Sequence, residues 1–346
     1  MKAKLSAAIT WLRFPLIFLI ILLHCYSVVR FEGDHDTYFK VLYPFSLWLG
    51  ETSVPDFFFI SGFLFFLSKK SYGQKIKTRI HTLLIPYILW NAMLLAIYLV
   101  AYIAGHPQVI NNKNMADYTF IDYIRLFWDR GSFDNGNFVP ILCPFWYIRN
   151  LLIMCVISPL LYYIIRYIRE VFLILMAVWW LMTYDNAFIP QTIFFFSLGA
   201  FFSIHNINPL EISINHKKLV LILFTFLAIS DIAMHTTKGT PINLQVHRLS
   251  LIFNIPTLLL LADFCISKGY SSKLLPNAAF IVFAVHYPIV VILRKVCSTK
   301  FAYASDGVHI LLYFVCVIIA TLMSLAFYLL LEKFFPKIMN ILSGNR

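Results

Sequence analysis

Ten runs of predominantly apolar residues, most close to 20 residues long, divide this chain at about 8–29, 43–67, 80–104, 144–165, 170–184, 189–204, 217–235, 247–266, 278–297 and 308–332. A run of that length matches the hydrocarbon thickness of a bilayer, where a segment must satisfy its own backbone hydrogen bonds and therefore folds as a helix. The fifth and sixth runs are the shortest. With 60% hydrophobic and 13% charged residues and a mean hydropathy of +0.79, the chain is too apolar for a soluble domain. The expected fold is all-α: a polytopic membrane protein of about ten transmembrane helices, forming one domain over 1–346.

The net charge of +12 would suggest nucleic acid in a soluble protein. Here the basic residues fall in short clusters between the apolar runs, so orientation in the membrane explains them and no nucleic-acid partner is expected. One set holds Lys2, Lys4, Lys69, Lys70, Lys75, Lys77, Arg79, Arg166, Arg169, Lys217, Lys218, Lys268, Lys273, Lys333, Lys337 and Arg346, and it outnumbers the set in the longer opposite loops. Both termini are therefore expected in the cytoplasm. The one long loop, about 105–140, is extracytoplasmic, and Phe120, Ile124, Phe127 and Trp128 recur within it as in a short amphipathic helix lying on the membrane surface. The first run exceeds a signal-peptide core and lacks an A-x-A cleavage site, so it is expected to remain as the first span. The six cysteines show neither paired nor metal-ligand spacing, and no metal site is expected.

Arg13 and His24 stand eleven residues apart in the first run. Eleven residues make about three turns, which places both on one helix face about 16 Å apart. A charge at membrane depth costs roughly 2.5–3.5 kcal/mol, so two such residues on one stripe point to a polar cavity. Arginine stays charged and binds phosphate or carboxylate; histidine exchanges a proton near neutral pH. The alternative keeps both structural, with Arg13 snorkelling to the headgroups and His24 bonding a neighbouring helix. Glu51 in the second run lies about 24 Å from the inner end, level with His24 by helical rise, and Asp56 about 16 Å. A carboxylate at that level orients an imidazole, unless Glu51 faces the outer interface and Asp56 bonds another helix.

The stretch Val54-Pro55-Asp56-Phe57-Phe58-Phe59-Ile60-Ser61-Gly62-Phe63, following an R-x10-H first helix, resembles the integral-membrane acyltransferase family 3, which includes O-acetyltransferases of bacterial surface polysaccharides. Three further pieces are similar: Trp146-Tyr147-Ile148-Arg149, Phe194-Phe195-Phe196-Ser197-Leu198-Gly199, and Phe280 through His286. Asp56 stands where the family is usually apolar, and Asn150 where an acidic residue is common.

The resemblance implies transfer of an acyl group, most simply acetyl from cytoplasmic acetyl-CoA, to a hydroxyl of a cell-surface glycan or lipid-linked sugar outside the bacterial cytoplasmic (inner) membrane. His24 is the expected general base and Glu51 its partner. Arg13, Lys69 and Lys70 are expected to hold coenzyme A phosphates, although the lysines equally serve topology and contact with anionic membrane lipid. His286 is expected to line the donor path, and Arg149 either to meet the acceptor or developing oxyanion or to anchor its helix. The rival function is a transporter or flippase of a glycan intermediate, which shares the location and the buried charges. The histidines show no H-x-x-x-H spacing and no G-x-S-x-G motif occurs.

Overall fold

The computed structural model describes residues 2–26, 36–106, 108–110, 113–131, 138–184, 188–234 and 240–345. The end of the first expected span, Ser27 to Val29, part of the long loop, and Arg346 of the inner basic set lie outside the described residues.

The fold is helical. In chain order the α-helices are α1 (Lys2–Cys25), α2 (Asp36–Tyr43), α3 (Gly50–Leu67), α4 (Tyr72–Arg79), α5 (Ile85–Ile103), α6 (Phe120–Arg125), α7 (Trp146–Ile168), α8 (Glu170–Met182), α9 (Phe188–Ile204), α10 (Pro209–Asn215), α11 (Lys217–Ala233), α12 (Pro241–Ser267), α13 (Leu274–Lys300), α14 (Asp306–Phe334) and α15 (Pro336–Ser343). Wide π-helical turns at Pro44–Leu49 and Ile80–Leu84 lead into α3 and α5. The described strands are a two-residue antiparallel pair, β1 (Val109–Ile110) with β2 (Lys113–Asn114).

Each of the ten apolar runs falls on one of these helices. Among the described residues, six helical segments are long and apolar enough to cross a membrane, or up to seven if α9 and α10, bent by 89° at their junction, make one span. The remaining runs fall on α3, whose 18 residues include Glu51 and Asp56, on the 13-residue α8 and on the 17-residue α11. On α8, Val171, Ile174, Leu175, Val178 and Met182 are all exposed, as are Ile97, Val100 and Ile103 on α5 and Ile318 and Leu322 on α14. Apolar faces of that extent suit lipid and not water. The protein is an all-α, multi-pass membrane protein.

Internal packing divides the chain into two compact units: residues 1–67 with 195–330, and residues 68–194 with 331–346. In the first unit, α1 packs on α3, α12 and α13, and α11 on α12. Gly62 of α3 and Gly199 of α9 each abut the opposite backbone: a Cβ at Gly62 would overlap the Phe196 carbonyl, and one at Gly199 the Phe59 carbonyl. Small residues at such a crossing let two helices touch along their main chains. Pro15 interrupts the α1 ladder, and the Trp11 indole donates to the Tyr270 carbonyl at 2.8 Å, tying α1 to the α12–α13 turn. At the other end of α1, the Leu22 carbonyl accepts from Ser46 Oγ at 2.8 Å, with the Tyr313 hydroxyl 2.7 Å from Ser46 Oγ. This satisfies a carbonyl in the last turn, which has no partner within the helix.

In the second unit, Trp90 of α5 donates to the Leu342 carbonyl at 3.0 Å, fastening α15. The helix α6 is fixed by a capping box. Thr119 Oγ1 accepts from the Asp122 amide at 3.3 Å, and the Asp122 carboxylate accepts from the Thr119 amide at 2.8 Å and from Lys113 Nζ at 2.9 Å. The Thr119 hydroxyl also donates to the Asp122 carboxylate at 2.7 Å, and this bond first, with those from Lys113 and the Thr119 amide, holds the Asp122 carboxyl below the usual carboxylate range. Phe120, Ile121, Ile124 and Trp128 are exposed around this helix.

Candidate functional site

The first unit brings two of the expected residues into contact. His24, partly buried in the last turn of α1, lies with its ring centroid 5.4 Å from that of His286 in α13, the planes inclined by 37°. Tyr287 meets His24 edge-on at 5.1 Å. The His286 side chain is fully buried, and its Nδ1 lies 2.7 Å from the Phe283 carbonyl of its own helix. A carbonyl only accepts, so Nδ1 carries the proton and Nε2 the lone pair. That Nε2 is buried and has no hydrogen-bond partner among the described residues. A buried lone pair beside a second imidazole is placed to accept a hydrogen bond from a bound hydroxyl. Arg13 lies exposed on α1, the same helix as His24, and makes no hydrogen bond or ion pair within the described residues.

Glu51 takes part in a network that sequence reasoning missed. Its carboxylate lies 3.0 Å from Nε2 of His247 in α12, and the other ring nitrogen, Nδ1, lies 2.7 Å from the Asp231 carboxylate in α11. Asp231 is fully buried and also accepts from the Tyr43 hydroxyl at 2.7 Å and from Asn243 Nδ2 at 3.4 Å. Two more bonds reach α12: Trp48 Nε1, from the π-helical turn before α3, donates to Ser250 Oγ at 3.2 Å, and Asn254 Nδ2 donates to Thr52 Oγ1 of α3 at 2.7 Å. His247, Ser250 and Asn254 recur at helical spacing, so one face of α12 is polar at membrane depth. The available signal was Asp231, a carboxylate inside an otherwise apolar run, and such residues within membrane helices mark function or pairing. Asp56, one turn deeper on α3, is fully buried, and its Oδ2 has no partner among the described residues.

The second unit holds the other expected residues. Arg149 is buried, and its guanidinium donates to the Trp128 carbonyl at 2.6 Å, to the Phe138 carbonyl at 3.0 Å and to Asn150 Oδ1 at 2.9 and 3.1 Å. The guanidinium also lies 4.9 Å from the Trp128 ring centre. Asn150 passes the contact on, donating to Thr192 Oγ1 at 3.1 Å. These bonds tie Trp128 and Phe138, both in the C-terminal half of the long loop, to α7. Lys69 and Lys70 are exposed, and Lys70 Nζ reaches Thr78 Oγ1 at 3.4 Å. Among the described residues no group of three or more His, Cys, Asp or Glu side chains is placed to hold a metal ion.

The described residues thus combine a multi-pass helical architecture, two histidines in ring contact and an arginine that ties part of the long loop to α7. Residues 6–331 match the acyltransferase domain of the acyltransferase 3 family, and this chain belongs to that family. The match runs through both compact units. Among curated proteins, the chain is similar to the succinoglycan biosynthesis protein ExoH of Rhizobium meliloti (strain 1021), 26% identical over 363 residues that cover 100% of this chain and 94% of the relative. No solved structure matches the chain. The protein is thus a membrane O-acyltransferase.

Proposed function

We propose that this protein moves an acyl group, most simply acetyl, from cytoplasmic acetyl-CoA to a hydroxyl of an extracytoplasmic carbohydrate, a surface polysaccharide or its lipid-linked precursor, across a bacterial inner membrane. The acyltransferase domain supports the reaction class, and the relative named for succinoglycan biosynthesis supports a polysaccharide acceptor. The observation that carries the site is the His24–His286 contact, with its buried, unpartnered His286 Nε2.

In this reading His24 is the general base. The acceptor hydroxyl loses its proton to the imidazole as its oxygen attacks the thioester carbonyl; the C–O bond forms, the C–S bond breaks, and the proton passes to the departing coenzyme A thiolate. His286, in ring contact with His24, accepts a hydrogen bond from donor or hydroxyl. Arg13 binds coenzyme A phosphate; Lys69 and Lys70 each add positive charge that attracts the anionic donor. Glu51 helps place the acceptor. Arg149 serves chiefly to shape the outer loop, because its donors are already engaged there. The single domain spans ten helices with both termini cytoplasmic. Crossing by the short α8 then requires local thinning of the bilayer around it, since 13 residues rise only about 20 Å.

The test uses inverted membrane vesicles supplied with acetyl-CoA labelled in its acetyl group. Label should appear as an alkali-labile ester on glycan in the lumen. Movement of glycan with no ester formed would instead identify a transporter or flippase.

A further inference from the structure

The polar network around His247 reaches the level of His24. Gly50 sits back to back with Leu23, since a Cβ at Gly50 would lie 2.8 Å from the Leu23 Cβ. Glu51 and His24 each follow one residue later on antiparallel helices, so they lie within about 3 Å of one height by helical rise. Of the three charged groups, Asp231 is fully enclosed, the His247 side chain is 8% exposed, and the Glu51 side chain is 43% exposed. The network therefore has one buried anchor, one connecting ring and one solvent-accessible carboxylate.

Its hydrogen bonds are directional. With both carboxylates ionised, they only accept, and the imidazole between them donates from both nitrogens. Asp231 is immobilised by Tyr43 and Asn243 in addition to the ring. Such a buried carboxylate fixes the orientation of the ring it bonds. The ring in turn holds one oxygen of Glu51 at 3.0 Å, which narrows the rotamers open to that side chain.

We infer that His247, braced by Asp231, is a positioning residue that holds the Glu51 carboxylate level with His24 as the hydrogen-bond partner of the acceptor sugar. The assignment rests on the acyl-transfer reading. It adds two residues, His247 and Asp231, that touch neither substrate and act only through Glu51. A carboxylate fixed in this way binds a sugar hydroxyl with directional preference, and misplacing it by a fraction of an ångström lowers the fraction of bound acceptor in reacting geometry.

Two substitutions separate the halves of the network. In His247→Gln the amide nitrogen replaces the ring Nε2 and keeps the bond to Glu51. In His247→Asn the amide nitrogen replaces Nδ1, keeps Asp231 and abandons Glu51. The full-length protein is purified in detergent, its amount and melting temperature are checked, and acyl transfer is followed from labelled acetyl-CoA to surface polysaccharide stripped of its esters. The expected result is a kcat for H247Q within about threefold of wild type and a loss of about 10² for H247N, with the KM for acetyl-CoA unchanged in both. Equal loss in both variants, or loss in neither, overturns the assignment. If H247N does not accumulate, Glu51→Gln reads the same carboxylate: a comparable fall in kcat supports the assignment, and a wild-type rate overturns it. Absence of transfer by the wild-type protein overturns the acyl-transfer reading itself, and this assignment with it.

Discussion

His286 spends the proton of its Nδ1 on a helix carbonyl and keeps the lone pair of Nε2 inside the protein. This predicts that Asn at position 286, which can still donate to the Phe283 carbonyl, is no better than Ala. Both should lower kcat alike, and near-wild-type turnover in His286→Asn would show that Nε2 has no part in the reaction. His24→Ala should cost more, about 10² to 10⁴ in rate if His24 is the base. Arg149 behaves differently. Its donors close on two loop carbonyls and Asn150, so Arg149→Ala should destabilise the fold by about 3 kcal/mol, read as a lower melting temperature in detergent. A stable but inactive Arg149→Ala protein would restore a direct catalytic role. Arg13, His24 and His286 were legible in the sequence because an ionisable residue in an apolar run is conspicuous. The engagement of Arg149 was not, since it depends on where Trp128 and Phe138 fold back. His247 lay near the start of its run and drew no notice without its partners on α3 and α11.

Helix crossings and caps set what holds these residues in place. Gly62 and Gly199 meet reciprocally, so a methyl group on either must push α3 from α9 along the segment that carries Glu51 and Asp56. Gly62→Ala should cost about 1–3 kcal/mol and broaden the size-exclusion profile; an unchanged melting temperature would contradict the close crossing. The short helix α6 carries a pH-dependent cap. Because the Asp122 carboxyl is held below its ordinary value, its contribution is fully present above about pH 4 and fades as pH falls from there toward the depressed folded value. Deuterium uptake by α6 should therefore rise on acidification below that point, and Asp122→Asn should show the raised uptake at neutral pH. Uptake insensitive to both changes would show that the cap does not hold α6. The apolar runs located every long helix, but not the π-helical turns before α3 and α5 or the 89° bend between α9 and α10, which arise from packing that hydropathy does not record.

At the scale of the whole molecule, composition alone determines the class: a chain this apolar has to place helices in lipid. How many cross is a finer matter. Six helical segments meet the length and hydropathy requirement outright, or seven if the bent pair is one span, while α3 spends part of its length on Glu51 and Asp56. Of the two polar residues that weaken α3 as a span, Glu51 bonds His247 of α12 and Asp56 is buried within the fold. With ten crossings, reporter domains fused to either terminus should both be cytoplasmic. An extracytoplasmic reporter at one end would require an odd number of spans. The central claim, ester formation on a surface glycan by a base at position 24, is tested most directly by mass analysis of glycans from cells carrying the wild-type gene, a deletion, or His24→Ala expressed at the wild-type level. The expected result is an acyl ester present with the wild-type protein and absent in the other two; the same ester content in all three would contradict it.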